Sequence, residues 1–123
     1  MIVIVPRRRG SGGVEVLGLP KGHPDAGENE VEAATREVRE ETGVDAEPVE
    51  KLGEVRYTYE RRGQPIHKRV AFYLFRYRRG ELAPDHEIEQ VRWMPLEEAV
   101  RALTYEGERQ MVERALSRHV RDR

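Results

Sequence analysis

The chain has 123 residues, 37% of them charged, a formal net charge of −1 and no cysteine. That length suits one domain with a real hydrophobic core and no covalent staples. The charge balance leaves no footprint for nucleic acid, and the absence of disulfides fits a reducing cytoplasm, the expected location.

The first apolar run, Ile2-Val3-Ile4-Val5, stops at Pro6 and is far too short for a signal peptide core or a membrane span. It predicts a strand over residues 2–8, followed by a Gly-Ser-Gly-Gly turn at 10–13 and a strand at 14–18. Arg7-Arg8-Arg9, like Arg61-Arg62 further on, suits a hairpin rim or a small polyanion better than a duplex. Residues 19–28 contain two prolines and two glycines and read as a loop able to offer backbone groups to a ligand. Within it, Gly22 allows close approach of a metal or phosphate and its carbonyl is a candidate ligand, while Lys21 and His23 are candidates to meet phosphate oxygens. Taken singly, both are ordinary surface residues.

A helix follows, with Asn29 as N-cap, Glu32 completing a capping box and Gly43 as the left-handed stop. Val31, Ala34 and Val38 form its packing stripe, and Ala33 leaves room beneath its acids. Residues 49–60 and 66–77 alternate apolar and polar around Arg61-Arg62-Gly63-Gln64, predicting a long antiparallel hairpin. A strand is expected at 88–94, with Trp93 in the core. Pro95 then opens a helix through Leu103, and Met111, Ala115 and Leu116 give residues 107–119 helical spacing. No repeat, low-complexity segment or linker divides the chain, so one domain is expected over 1–123.

The helix carries the chemistry. Glu37, Glu40 and Glu41 are three and four residues apart and fall within roughly a 100° arc of one face. Three carboxylates so placed repel one another, and Arg39, which lies between them in the chain, falls outside their arc of the helix. A hard divalent cation relieves the repulsion, which makes them a candidate Mg²⁺ or Mn²⁺ site. Alone, a Glu-x-x-Glu-Glu run reads as a solvated acidic face. Arg36 sits four residues after Glu32 and four before Glu40, placed to form ion pairs that hold the acids.

Gly22, Glu28, Arg36, Glu37, Val38, Glu40, Glu41, Gly43 and Val44 together resemble the Nudix hydrolase signature at every fixed position. The resemblance implies an α+β fold, a mixed β-sheet sandwiched between helices, and hydrolysis of a nucleoside diphosphate linked to another group. It implies Glu37, Glu40 and Glu41 as metal ligands with Gly22 contributing its backbone, Arg36 orienting Glu37, and Glu28 supporting the loop. A pyrophosphate bridge is shielded by negative oxygens, so attack by water needs metal neutralisation and a base. Glu87, just before the 88–94 strand, is the preferred candidate base, with Glu89 behind it.

Outside that box, Leu19 to His23, Gly53 to Tyr57 with Tyr59, His67-Lys68 and Leu103-Thr104-Tyr105 resemble bacterial diadenosine polyphosphate hydrolases. The 8-oxo-guanine nucleotide sanitising enzymes of the same family are the first alternative. Lys68 offers a point charge to a distal phosphate, Tyr105 a ring for adenine, and Tyr57 a second substrate-side group. Tyr57 and Tyr59 also share a strand face with Val55, so core or rim packing accounts for at least one of them. A non-catalytic nucleotide-binding module is the rival of another class; ADP-ribose hydrolysis lacks that subgroup's acidic and proline features. Met1 falls almost at the first strand, where the family usually carries another strand before it. A clipped start or a sheet completed by a neighbouring molecule is expected, and a homodimer with it.

Overall fold

The computed structural model describes residues 2–9, 15–22, 24–83, 88 and 90–121. Strand β1 (Ile2–Arg9) is the centre of a three-stranded sheet, flanked by β2 (Glu15–Leu17) and β5 (Gln90–Pro95). Both pairings are antiparallel, with Arg8 opposite Val16 and Ile4 opposite Trp93. Strands β3 (Asp45–Arg61) and β4 (Gln64–Arg79) form a long antiparallel hairpin of their own. Its turn is set by Arg62 and Gly63, both at positive φ (52° and 75°), the primed geometry whose twist matches the strands on either side. The hairpin is longer at its open ends than its sequence alternation predicts, because bulges between Asp45 and Ala46, Pro48 and Glu50, and Lys51 and Gly53 carry the pairing past breaks in that alternation. The expected turn at 10–13 lies outside the described residues.

Helix α1 (Glu30–Thr42) begins as its sequence dictates. Asn29 Oδ1 accepts from the Glu32 amide at 2.9 Å, and Glu32 Oε1 accepts from the Asn29 amide at 3.0 Å. Gly43 ends the helix at φ 83°, its amide donating to the Arg39 carbonyl. Ala33 and Val38 are buried, whereas Val31 and Ala34 are only half-buried, so the packing stripe sits one position round from that expected.

Helix α2 (Leu96–Ala102) starts on Pro95, and α3 (Glu106–Arg121) closes the fold. The core joins Leu52, Val55, Val70 and Phe72 of the hairpin to Met94, Leu96, Ala99 and Leu103, and to Met111, Val112 and Ala115 of α3. Each large apolar side chain there contributes roughly 1.5–3 kcal/mol by leaving water. Trp93 departs from expectation. Met94 points inward at 1% exposure, so strand alternation turns its neighbour outward, where Trp93 lies 39% exposed and edge-on to Tyr77 at 5.8 Å. The connection from α2 to α3 is tied back to β2: the Thr104 amide donates to the Leu17 carbonyl and the Leu17 amide to Thr104 Oγ1, both at 2.9 Å. This tie brings the start of α3 against the loop that precedes α1.

Candidate active site

Arg36 gathers the acids of α1 and of the loop before it. Its Nε donates to Glu28 Oε2 at 2.8 Å and its Nη2 to Glu28 Oε1 at 3.1 Å, while Nη1 donates to Glu37 at 2.6 Å and to Glu40 at 2.9 Å. Glu28 in turn accepts from the Asp25 amide at 2.8 Å, which closes the loop onto the helix. The three signature carboxylates grade from solvent to interior. The Glu40 side chain is 53% exposed and that of Glu37 17%, and Glu41 as a whole is 7% exposed. The Arg36 hydrogen bond holds the Glu28 carboxyl below the usual glutamate range. Glu37 moves the other way: burial raises its pKa, outweighing the hydrogen bond from Arg36.

The loop seats itself on these acids. A Cβ at Gly22 would fall within 2.6 Å of Glu37 Cγ and nearer still to the carboxyl carbon, so glycine is what lets this backbone lie against Glu37. The Lys21 amide donates to Glu41 Oε2 at 2.9 Å. The Lys21 ammonium points elsewhere, to Glu108 Oε2 at 2.5 Å, and stands 4.7 Å and 4.5 Å from the ring centres of Tyr57 and Tyr105. Those two rings meet edge-to-face at 5.7 Å. Lys68 pairs across the hairpin with Tyr57, its ammonium 5.2 Å from the Tyr59 ring.

The structure therefore brings Gly22, Glu28, Arg36, Glu37, Glu40 and Glu41 into one patch, with Lys21, Tyr57 and Tyr105 beside it. His23, Glu87 and Glu89 lie outside the described residues. Glu108 was not singled out from the sequence. Its signal was there: it shares the helical spacing of Met111, Val112 and Ala115, and a charge on a core stripe needs a partner.

For a divalent ion the donor chemistry fits. Three carboxylates and a peptide carbonyl are the oxygen ligands Mg²⁺ and Mn²⁺ take, and the Gly22 backbone is held against Glu37 without room for a Cβ. As placed, the side chains answer to Arg36 and the Lys21 amide, and among the described residues no three acids or histidines converge closely enough to hold an ion. A cavity of about 1060 Å³ lies in a different place. It runs between α1 and the hairpin, is lined mainly by residues such as Val38, Leu52 and Phe72, and touches Gly22 but none of the signature carboxylates.

A sheet, a capped helix bearing graded acids round one arginine, and a glycine loop seated on them make up the candidate site. The chain belongs to the Nudix family: the sequence model of the NUDIX domain matches residues 2–115. It is 41% identical over 96 residues to the putative mutator protein MutT4 of Mycobacterium tuberculosis, covering 77% of this chain and 39% of that protein. It is 35% identical over 102 residues to the 8-oxo-(d)GTP phosphatase of Mycolicibacterium smegmatis, 83% of this chain and 30% of that one. With the asymmetrical bis(5'-nucleosyl)-tetraphosphatase of Mus musculus it shares 38% over 93 residues, 72% of this chain and 62% of the other. The chain thus spans about a third to three fifths of these relatives. Among solved structures, an Ap4A hydrolase binary complex from C. elegans superposes with a TM-score of 0.72 at 24% identity, over 95% of this chain and 85% of that one. The α+β class expected from the sequence is the fold these neighbours share. Among the described residues no helix is long and apolar enough to cross a membrane.

Proposed function

We propose that this chain hydrolyses a phosphoric anhydride bond in a nucleoside polyphosphate with the help of Mg²⁺ or Mn²⁺, and that diadenosine tetraphosphate, split to ATP and AMP, is the favoured substrate. The observation that carries the reading is the seat of Gly22 against Glu37, with Glu40 tied to the same arginine and Glu41 to the neighbouring amide.

In this reading Glu37, Glu40, Glu41 and the Gly22 carbonyl hold the ion. When bound, it supplies charge neutralisation on the phosphoryl oxygens and a more acidic water. Arg36 keeps Glu37 and Glu40 aimed, and Glu28 keeps Arg36 in place. A carboxylate outside the helix takes the water's proton, and the sequence offers Glu87 for this, then Glu89. Tyr105, 40% exposed, and Tyr57 offer ring faces for a base. Lys68 stands across the hairpin from Tyr57 and would offer a point charge to a distal phosphate. The name of the mouse relative supports the dinucleotide substrate, and that of the M. smegmatis relative supports the second reading, an 8-oxo-(d)GTP phosphatase.

Incubation of the purified chain with diadenosine tetraphosphate, 8-oxo-dGTP and ADP-ribose in Mg²⁺, with chromatographic identification of products, separates these readings. ATP plus AMP from the first supports the favoured substrate, and heavy-oxygen water locates the phosphorus attacked. Turnover of 8-oxo-dGTP alone would shift the assignment to the second reading. No turnover of any would favour a non-catalytic nucleotide-binding module.

A further inference from the structure

We propose that Glu108, on α3, is a positioning residue that sets the loop Leu19–Gly22 over the acids of α1, acting through Lys21. The inference rests on the reading above, in which Glu37, Glu41 and Gly22 take a divalent ion.

Glu108 has 0% exposure and stands on the same helix face as the buried Met111, Val112 and Ala115. A carboxylate in such a place is unfavourable unless every lone pair facing the protein finds a donor. It finds three. Oε1 accepts from the Leu19 amide at 2.6 Å, and Oε2 accepts from Lys21 Nζ at 2.5 Å and from the Tyr57 hydroxyl at 2.7 Å. A Cβ at Gly18 would come 3.4 Å from Oε1, so the loop backbone lies directly on this carboxylate.

Lys21 transmits the constraint. Its ammonium is held by Glu108 and flanked by the Tyr57 and Tyr105 rings, while its own amide donates to Glu41. One residue is therefore pinned at its side chain to α3 and at its backbone to α1. The next residue is Gly22, whose backbone meets Glu37. Without the grip on Leu19 and Lys21, the loop loses the anchor that brings the Lys21 amide to Glu41 and the Gly22 backbone to Glu37. All three partners of Glu108 are donors, so an amide in its place must set its own N–H groups against one of them; both oxygens are needed.

The test is Mn²⁺ binding, followed by electron paramagnetic resonance on the purified chain without substrate, alongside thermal unfolding. Wild type is compared with Glu108→Gln, Lys21→Met, the double variant, and Glu41→Gln. Each of the first two single changes is expected to raise the Mn²⁺ Kd about 10-fold, and the double variant to do no worse than the weaker single, because both act through one link. Should Glu108→Gln not fold, Lys21→Met carries the test alone. An unchanged Kd with a lowered Tm, or losses that add in the double variant, would overturn the proposal by making Glu108 a packing residue only. Glu41→Gln separates the two levels. If it abolishes Mn²⁺ binding while Glu108→Gln and Lys21→Met do not weaken it, the positioning role alone fails. If it leaves binding intact, the metal-site reading fails and this inference with it.

Discussion

The Arg36 guanidinium and the Glu28 carboxylate meet as a two-point fork, Nε to Oε2 at 2.8 Å and Nη2 to Oε1 at 3.1 Å. That leaves Nη1 to reach Glu37 and Glu40 together. A planar, five-donor cation can do this; a lysine cannot, since its ammonium is a single point on a flexible stem. Arg36→Lys is therefore expected to lower kcat about 10–100-fold with a smaller change in KM, checked by steady-state kinetics on the nucleotide that the chain turns over.

Gly22→Ala tests the contact between loop and helix. The added methyl would collide with the Glu37 side chain, whose flexible end swings away at little cost to the fold, and Gly22 is not in the left-handed region. Mn²⁺ affinity should fall about 10-fold or more while the Tm stays close to wild type. A Tm drop with unchanged affinity would place Gly22 among merely structural glycines.

The two shifted carboxyls predict a separation by pH. Glu37 is raised by burial, and a protonated carboxyl binds no cation, so on acidification metal affinity in the free protein should begin to fall before the pH reaches 4.5, the ordinary glutamate value. For stability the signs are opposite. Glu28 is lowered by Arg36, so its contribution is present above 4.5 and lost only as pH falls through its depressed folded value. Glu37 contributes stability below 4.5 that is lost as pH rises through its raised value. Mn²⁺ titrations and thermal melts should thus show affinity already falling while the pH is still above 4.5, where acidification costs no Tm through either group, and the Glu28 contribution lost only at lower pH. Affinity and Tm declining together from the same pH would contradict this.

Gly43→Ala addresses the end of α1. At φ 83° an alanine enters the left-handed region, and its Cβ would stand 2.7 Å from the Glu81 carbonyl oxygen. A loss of about 1–3 kcal/mol is expected by urea unfolding, larger than for the exposed turn residue Gly63, where a Cβ meets nothing.

What could be read in advance was what is local in the chain. The capping box of α1 and the stop at Gly43 involve residues a few positions apart, and the acids' common face follows from helical spacing alone. The Arg62-Gly63 turn likewise announces the hairpin. The partners of Lys21 did not show, because Glu108 is 87 residues away and reaches it only once the Thr104–Leu17 tie brings α3 to the loop. Glu32 was given two roles by its spacing, the capping box and a pair with Arg36, and its carboxylate accepts from the Asn29 amide as the first requires. Trp93 lies outside the core because strand alternation assigns the inward position to Met94.

The most direct measurement is the rate at which Glu41→Gln hydrolyses the chain's nucleotide substrate in Mg²⁺, with its unfolding midpoint recorded alongside. An amide at this buried position preserves the shape and an acceptor for the Lys21 amide but removes the charge. The account predicts a fall in kcat exceeding the about 10–100-fold that a supporting residue costs, in a protein that still folds. A folded Glu41→Gln variant turning over as fast as wild type would contradict it.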